Sequence, residues 1–173
     1  MKGLIFAGSL EEARAVAAAF TSAGHPAIAL DGQTTQDERE AAIERLTHGM
    51  GPKRLEYIAT VDIFNEGVDI PEVNQILMLR RTESAIVFVQ QLGRGLRRAA
   101  DKEYVIVLDF IGNYEKNYLI ATALSDDRSY SKEKLRRFVT TGAERIPGAS
   151  SIHFDEVARS RIYRAIDSAS LNS

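Results

Sequence analysis

The feature that most constrains the fold is a regular alternation between short apolar runs and segments with the apolar spacing of an amphipathic helix. This alternation predicts successive β-α-β units, and therefore a parallel sheet covered by helices on both faces. The order of the strands in the sheet cannot be read from periodicity. The predicted strands lie near residues 4–7, 27–30, 55–59, 76–79 and 104–108.

Two of the predicted helices begin with the same pattern, a capping box. Ser9 is followed three residues later by Glu12, and Thr35 is followed in the same way by Glu38. In this motif the hydroxyl and the carboxylate each accept a hydrogen bond from the other residue's backbone amide. A third helix is predicted between the fourth and fifth strands, where apolar residues recur at Ala85, Phe88, Val89 and Leu92.

The second part of the chain has a different pattern. After about residue 112 no strong strand signal remains, and the apolar spacing around Leu135 and from Ala158 to Ile166 predicts helices. The sequence Ile146-Pro147-Gly148 separates them. We therefore predict a domain over residues 1–113, followed by a mostly helical extension over 114–173. That extension packs on the first domain or bridges to a domain outside this sequence.

Composition narrows the classes of function. The chain has no cysteine, which excludes disulfides, thiolate catalysis and zinc sites with sulfur ligands. Its three histidines lack metal-ligand spacing, so no metal site is predicted. No apolar run reaches the roughly 18–20 residues that a membrane span requires, and no secretory leader follows Met1. These features predict a cytoplasmic protein with no membrane partner.

The charge limits how the chain can bind nucleic acid. Its formal net charge is −2, so any contact with a polyanion must come from a local patch. Arginine outnumbers lysine by 16 to 6. This preference suits planar, bidentate recognition of phosphate or carboxylate groups.

One basic segment could contact a polyphosphate. In the sequence Gln90-Gln91-Leu92-Gly93-Arg94-Gly95-Leu96-Arg97-Arg98, two glycines allow the backbone to turn. Arg94 and Arg97 are three residues apart, so their guanidinium groups can project from one face. A solvated basic helix end would have the same composition, and the residues alone leave both interpretations open.

A second segment follows the third predicted strand, at the edge where open α/β sheets bind ligands. It runs from Ala59 to Pro71. Thr60 offers a hydroxyl, Gly67 offers unobstructed backbone, and Asp69 offers an acceptor for a sugar hydroxyl or a cation. An ordinary turn after a strand would also account for Gly67 and Asp69.

Taken together, these segments resemble the second RecA-like lobe of superfamily 2 helicases and translocases over about residues 3–112. Residues 4–9 look like motif IV, and Gln36-Asp37-Glu38-Arg39 is similar to the element that follows it. The segment 59–71 looks like motif V, and Gln90-x-x-Gly93-Arg94-x-x-Arg97 looks like motif VI. The latter form resembles the repair and restriction-associated DEAD/DEAH-type helicases, which favours DNA over RNA as the substrate.

The resemblance implies a RecA-like parallel sheet sandwiched by helices, and it assigns roles to individual residues. Arg97 is expected to be the arginine finger and Arg94 a second ligand of the ATP γ-phosphate. Gln90 would position the attacking water or couple two lobes. Gly67 and Asp69 would lie at the nucleotide, together with Gly93. The expected contacts to a DNA or RNA backbone are Gly8, Ser9, Thr60 and Arg39. For Arg39, an ion pair within the lobe is an equally good interpretation.

The sequence lacks the other half of an ATPase site. Neither G-x-x-x-x-G-K-[ST] nor D-E-x-[DH] occurs in it, so the phosphate loop and the Mg²⁺ ligands must come from elsewhere. We therefore expect ATP and Mg²⁺ to be held mainly by an N-terminal RecA-like lobe of the same protein, and this chain alone to be inactive. The alternative is a non-catalytic module that binds nucleic acid or a protein partner on the same fold. A stand-alone flavodoxin-like protein is disfavoured, because residues 7–12 do not form a phosphate loop.

Overall fold

The architecture was established from a computed structural model, which describes residues 1–61, 70–80, 102–110, 121–122, 131–141 and 152–169. The described residues fall into two compact units. The sheet unit contains the described residues up to 110, and the helical unit contains those from 121 onward. The division predicted after residue 113 remains a prediction.

In the sheet unit, the first three strands alternate with two helices as the sequence predicted, and two further described strands follow. The fifth strand begins two residues later than predicted, because Tyr104 and Val105 precede its pairing with the fourth strand. The helix predicted around Ala85–Leu92 lies outside the described residues. The elements in chain order are β1 (Gly3–Phe6), α1 (Leu10–Ser22), β2 (Ala27–Leu30), α2 (Gln36–Thr47), β3 (Tyr57–Thr60), β4 (Gln75–Met78) and β5 (Ile106–Asp109).

The five strands form one parallel sheet in the order β2-β3-β1-β4-β5. The central strand β1 pairs with β3 and β4, both of which come much later in the chain. Its register places Phe6 beside Thr60 on one side and beside Met78 on the other. The carboxyl ends of all five strands therefore meet at one edge of the sheet.

The core is packed on both faces of the central strands, because successive side chains of a strand point to opposite faces. On one face, Ile5, Ala59 and Leu77 pack with Ala13 and Ala17 of α1. The other face buries large side chains, and α2 buries Ala42 and Leu46. The fully buried side chains of that face are Leu4, Phe6, Ile58, Ile76 and Met78.

The edge strand β5 is packed differently. Ile106 and Leu108 stand in register with Gln75 and Leu77 of β4, and they remain 40% and 43% exposed. Phe110, two residues further on, is also exposed. An apolar sequence therefore marks β5 as a strand, but its position at the edge leaves one of its faces in contact with solvent.

The helical unit contains α3 (Lys132–Thr141) and α4 (Glu156–Ser168), which confirms both predicted helices. Leu135 and Val139 of α3 are fully buried, as are Ile162 and Ile166 of α4. The rings of Phe138 and Phe154 meet edge to face, with centroids 6.3 Å apart. Asp155 caps α4 by accepting a hydrogen bond from the amide of Ala158 at 2.7 Å.

Candidate nucleic-acid interface

The predicted nucleic-acid contacts share the carboxyl edge of the sheet. Gly8 and Ser9 form the turn between β1 and α1, and Thr60 ends the neighbouring strand β3. The amide of Ala7 donates to the carbonyl oxygen of Thr60 at 2.9 Å, which joins these two segments. Arg39 lies on α2, the helix that follows β2. Strand β2 pairs with β3 on the side away from β1. This edge is where open α/β sheets bind ligands.

The turn after β1 has exposed polar groups, but the backbone amide of Gly8 already has a hydrogen-bond partner. The amide of Gly8 donates to Oε2 of Glu12 at 2.6 Å, and the amide of Glu12 donates to Oγ of Ser9 at 3.1 Å. The predicted capping box is therefore only half correct. Ser9 is the cap, but the Glu12 carboxylate binds the amide one residue earlier than predicted. A phosphate at the Gly8 amide would have to displace that carboxylate.

Gly8 also lies against the end of β4. A Cβ placed on Gly8 would lie 3.9 Å from Cα of Arg80, and the Arg80 amide donates to the carbonyl oxygen of Phe6 at 3.0 Å. Sequence reasoning did not select Arg80. The available signal was its position directly after a predicted strand, at the edge shared with Gly8.

Thr60 is the one buried polar residue of the described core. Its side chain is 0% exposed, and its hydroxyl oxygen has no hydrogen-bond partner among the described residues. A buried hydroxyl without a partner costs free energy, which other interactions must offset. The structure thus places Thr60 at the expected edge with an unused hydrogen-bonding group. Its contact with a nucleic-acid backbone remains a prediction.

Arg39 holds the loop that follows β2. Its Nη2 donates to the carbonyl oxygen of Gly32 at 3.4 Å, and its Nε is buried without a partner. No ion pair of Arg39 occurs among the described residues. The loop also has its own hydrogen bonds, since Oδ1 of Asp31 accepts from the amides of Gln33 and Thr34 at 2.8 and 3.1 Å.

The start of α2 forms the complete capping box that the sequence predicted. The amide and hydroxyl of Thr35 both donate to Oε2 of Glu38 at 2.9 Å, and Thr35 accepts from the Glu38 amide at 3.4 Å. These hydrogen bonds from Thr35 lower the pKa of Glu38 below its usual value. The carboxylate therefore stays ionised, and it adds negative charge to this edge.

The residues predicted to contact the nucleotide lie outside the described residues: Gln90, Gly93, Arg94 and Arg97 of the basic segment, and Gly67 and Asp69 of the loop before β4. Across the described part of the chain, no group of three or more histidine and carboxylate side chains could hold a metal ion. None of the helices in that part is long and apolar enough to cross a membrane.

The five-stranded parallel sheet with flanking helices defines a RecA-like domain. The C-terminal domain of the DEAD-box protein Dbp5 has this fold, with a TM-score of 0.57 at 20% identity over 72% of this chain and 69% of that chain. The Escherichia coli DEAD-box protein SrmB, in a complex with the regulator RraA, also gives 0.57, at 21% identity over 73% and 70%. At these identities the likeness concerns the fold.

Sequence comparison then identifies the family. The model of the helicase conserved C-terminal domain matches residues 1–99, more than half of the chain, and the chain belongs to that family. ATP-dependent helicase IRC3 from Saccharomyces cerevisiae is 34% identical over 96 residues, which cover 56% of this chain and 13% of IRC3. A 51.5 kDa protein of a Lactococcus phage is 29% identical over 118 residues, 68% of this chain and 25% of that protein. The chain thus spans a quarter or less of the length of these relatives.

Proposed function

We propose that the chain is the C-terminal motor lobe of an ATP-dependent helicase or translocase that acts on DNA. The observation that carries this proposal is the family match over residues 1–99, which includes the segment from Gln90 to Arg97. The preference for DNA rests on the Gln-x-x-Gly-Arg-x-x-Arg form of that segment. The lack of cysteine is consistent with a cytoplasmic protein.

In this proposal the chain contributes cationic groups to a site between two lobes. ATP with Mg²⁺ supplies the phosphoryl group, and a preceding RecA-like lobe would make most of the contacts with ATP and Mg²⁺. The guanidinium of Arg97 stabilises the charge that develops on the γ-phosphate, and Arg94 binds the same phosphate. Gln90 orients the attacking water or couples the lobes. Gly67, Asp69 and Gly93 contact the nucleotide.

The carboxyl edge of the sheet would hold one DNA strand by its phosphates. Gly8 and Ser9 are exposed there, and the buried Thr60 ends the neighbouring strand with a hydroxyl that has no partner among the described residues. Arg39 supports the neighbouring loop through the Gly32 carbonyl. These groups are amides, hydroxyls and a cation, which suit phosphate oxygens and carry no base information. Binding is therefore expected to depend strongly on salt and weakly on sequence.

The proposed lobe spans residues 1–113, and residues 114–173 form a helical extension of it. This assignment agrees with the position of α3 and α4 beyond the family match. The lobe alone is expected to bind ATP weakly and not to hydrolyse it, because the chain contains no phosphate loop.

The test is DNA-stimulated ATP hydrolysis by the full-length protein with Arg97 changed. Arg97→Ala should lower turnover by roughly 10³–10⁵, the effect of an arginine finger in related reactions. That loss corresponds to about 4–7 kcal/mol of transition-state stabilisation. Arg97→Lys should behave almost like Arg97→Ala, because an ammonium lacks the planar fork.

Arg98→Ala is the matched control, since it removes the same charge one residue outside the motif. It should keep turnover within a few-fold of wild type. Near-normal turnover in Arg97→Lys, or equal losses at positions 97 and 98, would contradict the finger assignment. A protein that binds DNA but shows no Arg97-dependent hydrolysis would instead be the non-catalytic module.

A further inference from the structure

The charges of the chain are unevenly divided between its two units. The described residues of the sheet unit include eight Lys and Arg against eleven Asp and Glu. The described residues of the helical unit, 131–141 and 152–169, include seven Lys and Arg against four Asp and Glu. The positive excess therefore lies on α3 and α4, beyond the residues that the family model matches.

The contacts between α3 and α4 show how these charges are arranged. The guanidinium of Arg136 pairs with the Asp167 carboxylate, and one turn later the hydroxyls of Thr140 and Tyr163 lie 2.5 Å apart. Because the partner number falls from 167 to 163 as α3 advances from 136 to 140, the two helices are antiparallel. Lys132, one turn before Arg136, donates to the carbonyl oxygen of Asp167 at 3.2 Å.

Two further arginines flank this row of contacts. Arg137 lies three residues before Thr140, and Arg164 lies three residues before Asp167, so each adjoins the row on its own helix. Both side chains are exposed, and neither has a carboxylate partner among the described residues. We call Lys132, Arg136, Arg137, Thr140, Tyr163 and Arg164 the hairpin basic face.

Among the described residues, the carboxylate that pairs with this face is that of Asp167, and it is weakly held. The Arg136 and Asp167 side chains are 50% and 55% exposed. Exposed ion pairs contribute little, because water and salt screen them. A phosphate oxygen could therefore replace the Asp167 carboxylate at the Arg136 guanidinium at small cost.

The groups on this face are suited to binding phosphate. Guanidinium forks and an ammonium bind phosphate oxygens, hydroxyls add hydrogen bonds, and an aromatic ring can stack on a base. A lipid surface fits less well, because the apolar side chains of α3 and α4 face their own core. Among the large apolar side chains described in this unit, Val157 is the exposed one.

We propose that the hairpin basic face is a second, sequence-independent binding site for the phosphate backbone of nucleic acid. The proposal rests on the proposed function, which makes nucleic acid the partner. It gives the chain a source of attraction for polyanions, whereas the described residues of the sheet unit carry a negative excess.

The test compares two double variants of the full 173-residue chain. Arg137→Gln with Arg164→Gln removes the two arginines of the face that have no carboxylate partner among the described residues. Arg14→Gln with Lys53→Gln removes the same charge from two exposed positions on the sheet unit. Binding of labelled single-stranded DNA is measured by anisotropy over a series of salt concentrations, and both variants are melted to check folding.

The hairpin variant should bind about 3–10-fold more weakly at low salt. The slope of log K against log salt should become shallower by about 1.4, or about 0.7 for each lost contact on a single strand. The control variant should stay within about twofold of wild type with an unchanged slope. Asp167→Asn should act in the opposite direction and tighten binding about 2–3-fold, because it removes the only carboxylate in the described contacts of the face.

An equal loss of DNA affinity in both double variants would overturn the proposal, because it would show that binding depends on the overall charge of the chain. Wild-type affinity in the hairpin variant would also overturn it, while leaving the proposed function intact. Binding of polyglutamate as tight as that of DNA would point to an acidic protein partner instead. A full-length protein without Arg97-dependent hydrolysis would remove the proposed function, and the hairpin effect on DNA binding would still be measurable. A wild-type chain that binds no DNA at low salt would reject the proposal outright.

Discussion

The two edges of the sheet are held together in different ways. At the amino edge, some of the described side-chain bonds join partners that are distant in sequence. The amide of Lys2 donates to Oδ1 of Asn74 at 3.0 Å, and the Tyr57 hydroxyl donates to Oε1 of Gln75 at 2.5 Å. At the carboxyl edge, the described side-chain hydrogen bonds join residues two to seven positions apart, such as Gly8 with Glu12.

This difference separates an edge at which described side-chain bonds join strands from one at which they are local. Long-range bonds at the amino edge fix one strand against another, so breaking them affects the sheet. Among the described residues, the local side-chain bonds at the carboxyl edge cap helices and shape loops. Breaking one of them should therefore leave the pairing of the strands intact. The comparison predicts that equivalent changes at the two edges have unequal effects.

The largest difference is expected for one substitution made at both edges, glycine to alanine. A Cβ on Gly3 would collide with the ring of Tyr57, which is buried in the core. Gly3→Ala should therefore destabilise the fold by about 1–3 kcal/mol. At Gly8 the nearest atom would be Oε2 of Glu12 at 3.3 Å, the end of a flexible side chain. Gly8→Ala should cost less than about 0.5 kcal/mol. Urea unfolding measures both, and equal costs would contradict the comparison.

The two variants of a second pair should lower the free energy of unfolding by similar amounts. They should differ in how much of the structure exchanges hydrogen faster. Tyr57→Phe removes the hydroxyl bound to Gln75, and Thr35→Ala removes the cap of α2. Each should cost about 1 kcal/mol. Segment-resolved hydrogen exchange should show faster exchange across β3 and β4 for Tyr57→Phe, and only in the first turn of α2 for Thr35→Ala. Faster exchange spread through the sheet in Thr35→Ala would show that the carboxyl edge also holds the strands.

The smallest effects concern pH. The hydrogen bond from His25, at 2.8 Å, lowers the pKa of Glu56 at the amino edge, and Thr35 lowers the pKa of Glu38 at the other edge. A lowered folded-state pKa adds stability above the usual value of 4.5, and that stability is lost as pH falls through the folded-state pKa. Wild type should therefore lose stability between about pH 5 and pH 3.

Glu56→Gln and Glu38→Gln should each reduce that loss slightly, because the amide does not titrate. Thermal melting over this pH range is the measurement. A melting temperature that falls as steeply with acid in both variants as in wild type would show that neither carboxylate contributes.

Patterns among residues close together in the sequence predicted most of the described strands and helices. The apolar runs located the strands, most clearly β1 and β3, in which all four positions are buried. Thr35 and Glu38 predicted the start of α2, since a capping box involves only neighbours. The apolar spacing around Leu135 and Ile162 likewise predicted the helices of the second unit.

The features that sequence reasoning missed depend on long-range pairing. The strand order is set by contacts between distant segments, and periodicity does not contain it. The burial of Thr60 follows from its place beside Phe6 in the sheet, whereas the sequence only indicated the end of a strand. The bond between His25 and Glu56 joins residues 31 positions apart, which no local pattern indicates.

The central position of β1 has a consequence for the synthesis of the protein on the ribosome. Its β4 neighbour comes far later in the chain, as Lys2 and Asn74 are 72 residues apart. At about 5–20 residues per second, translation takes roughly 4–14 s to cover that distance. Throughout that interval Leu4, Ile5 and Phe6 lack the strand that completes their burial. The nascent chain therefore carries a strand that is fully buried in the folded protein before it can close the sheet.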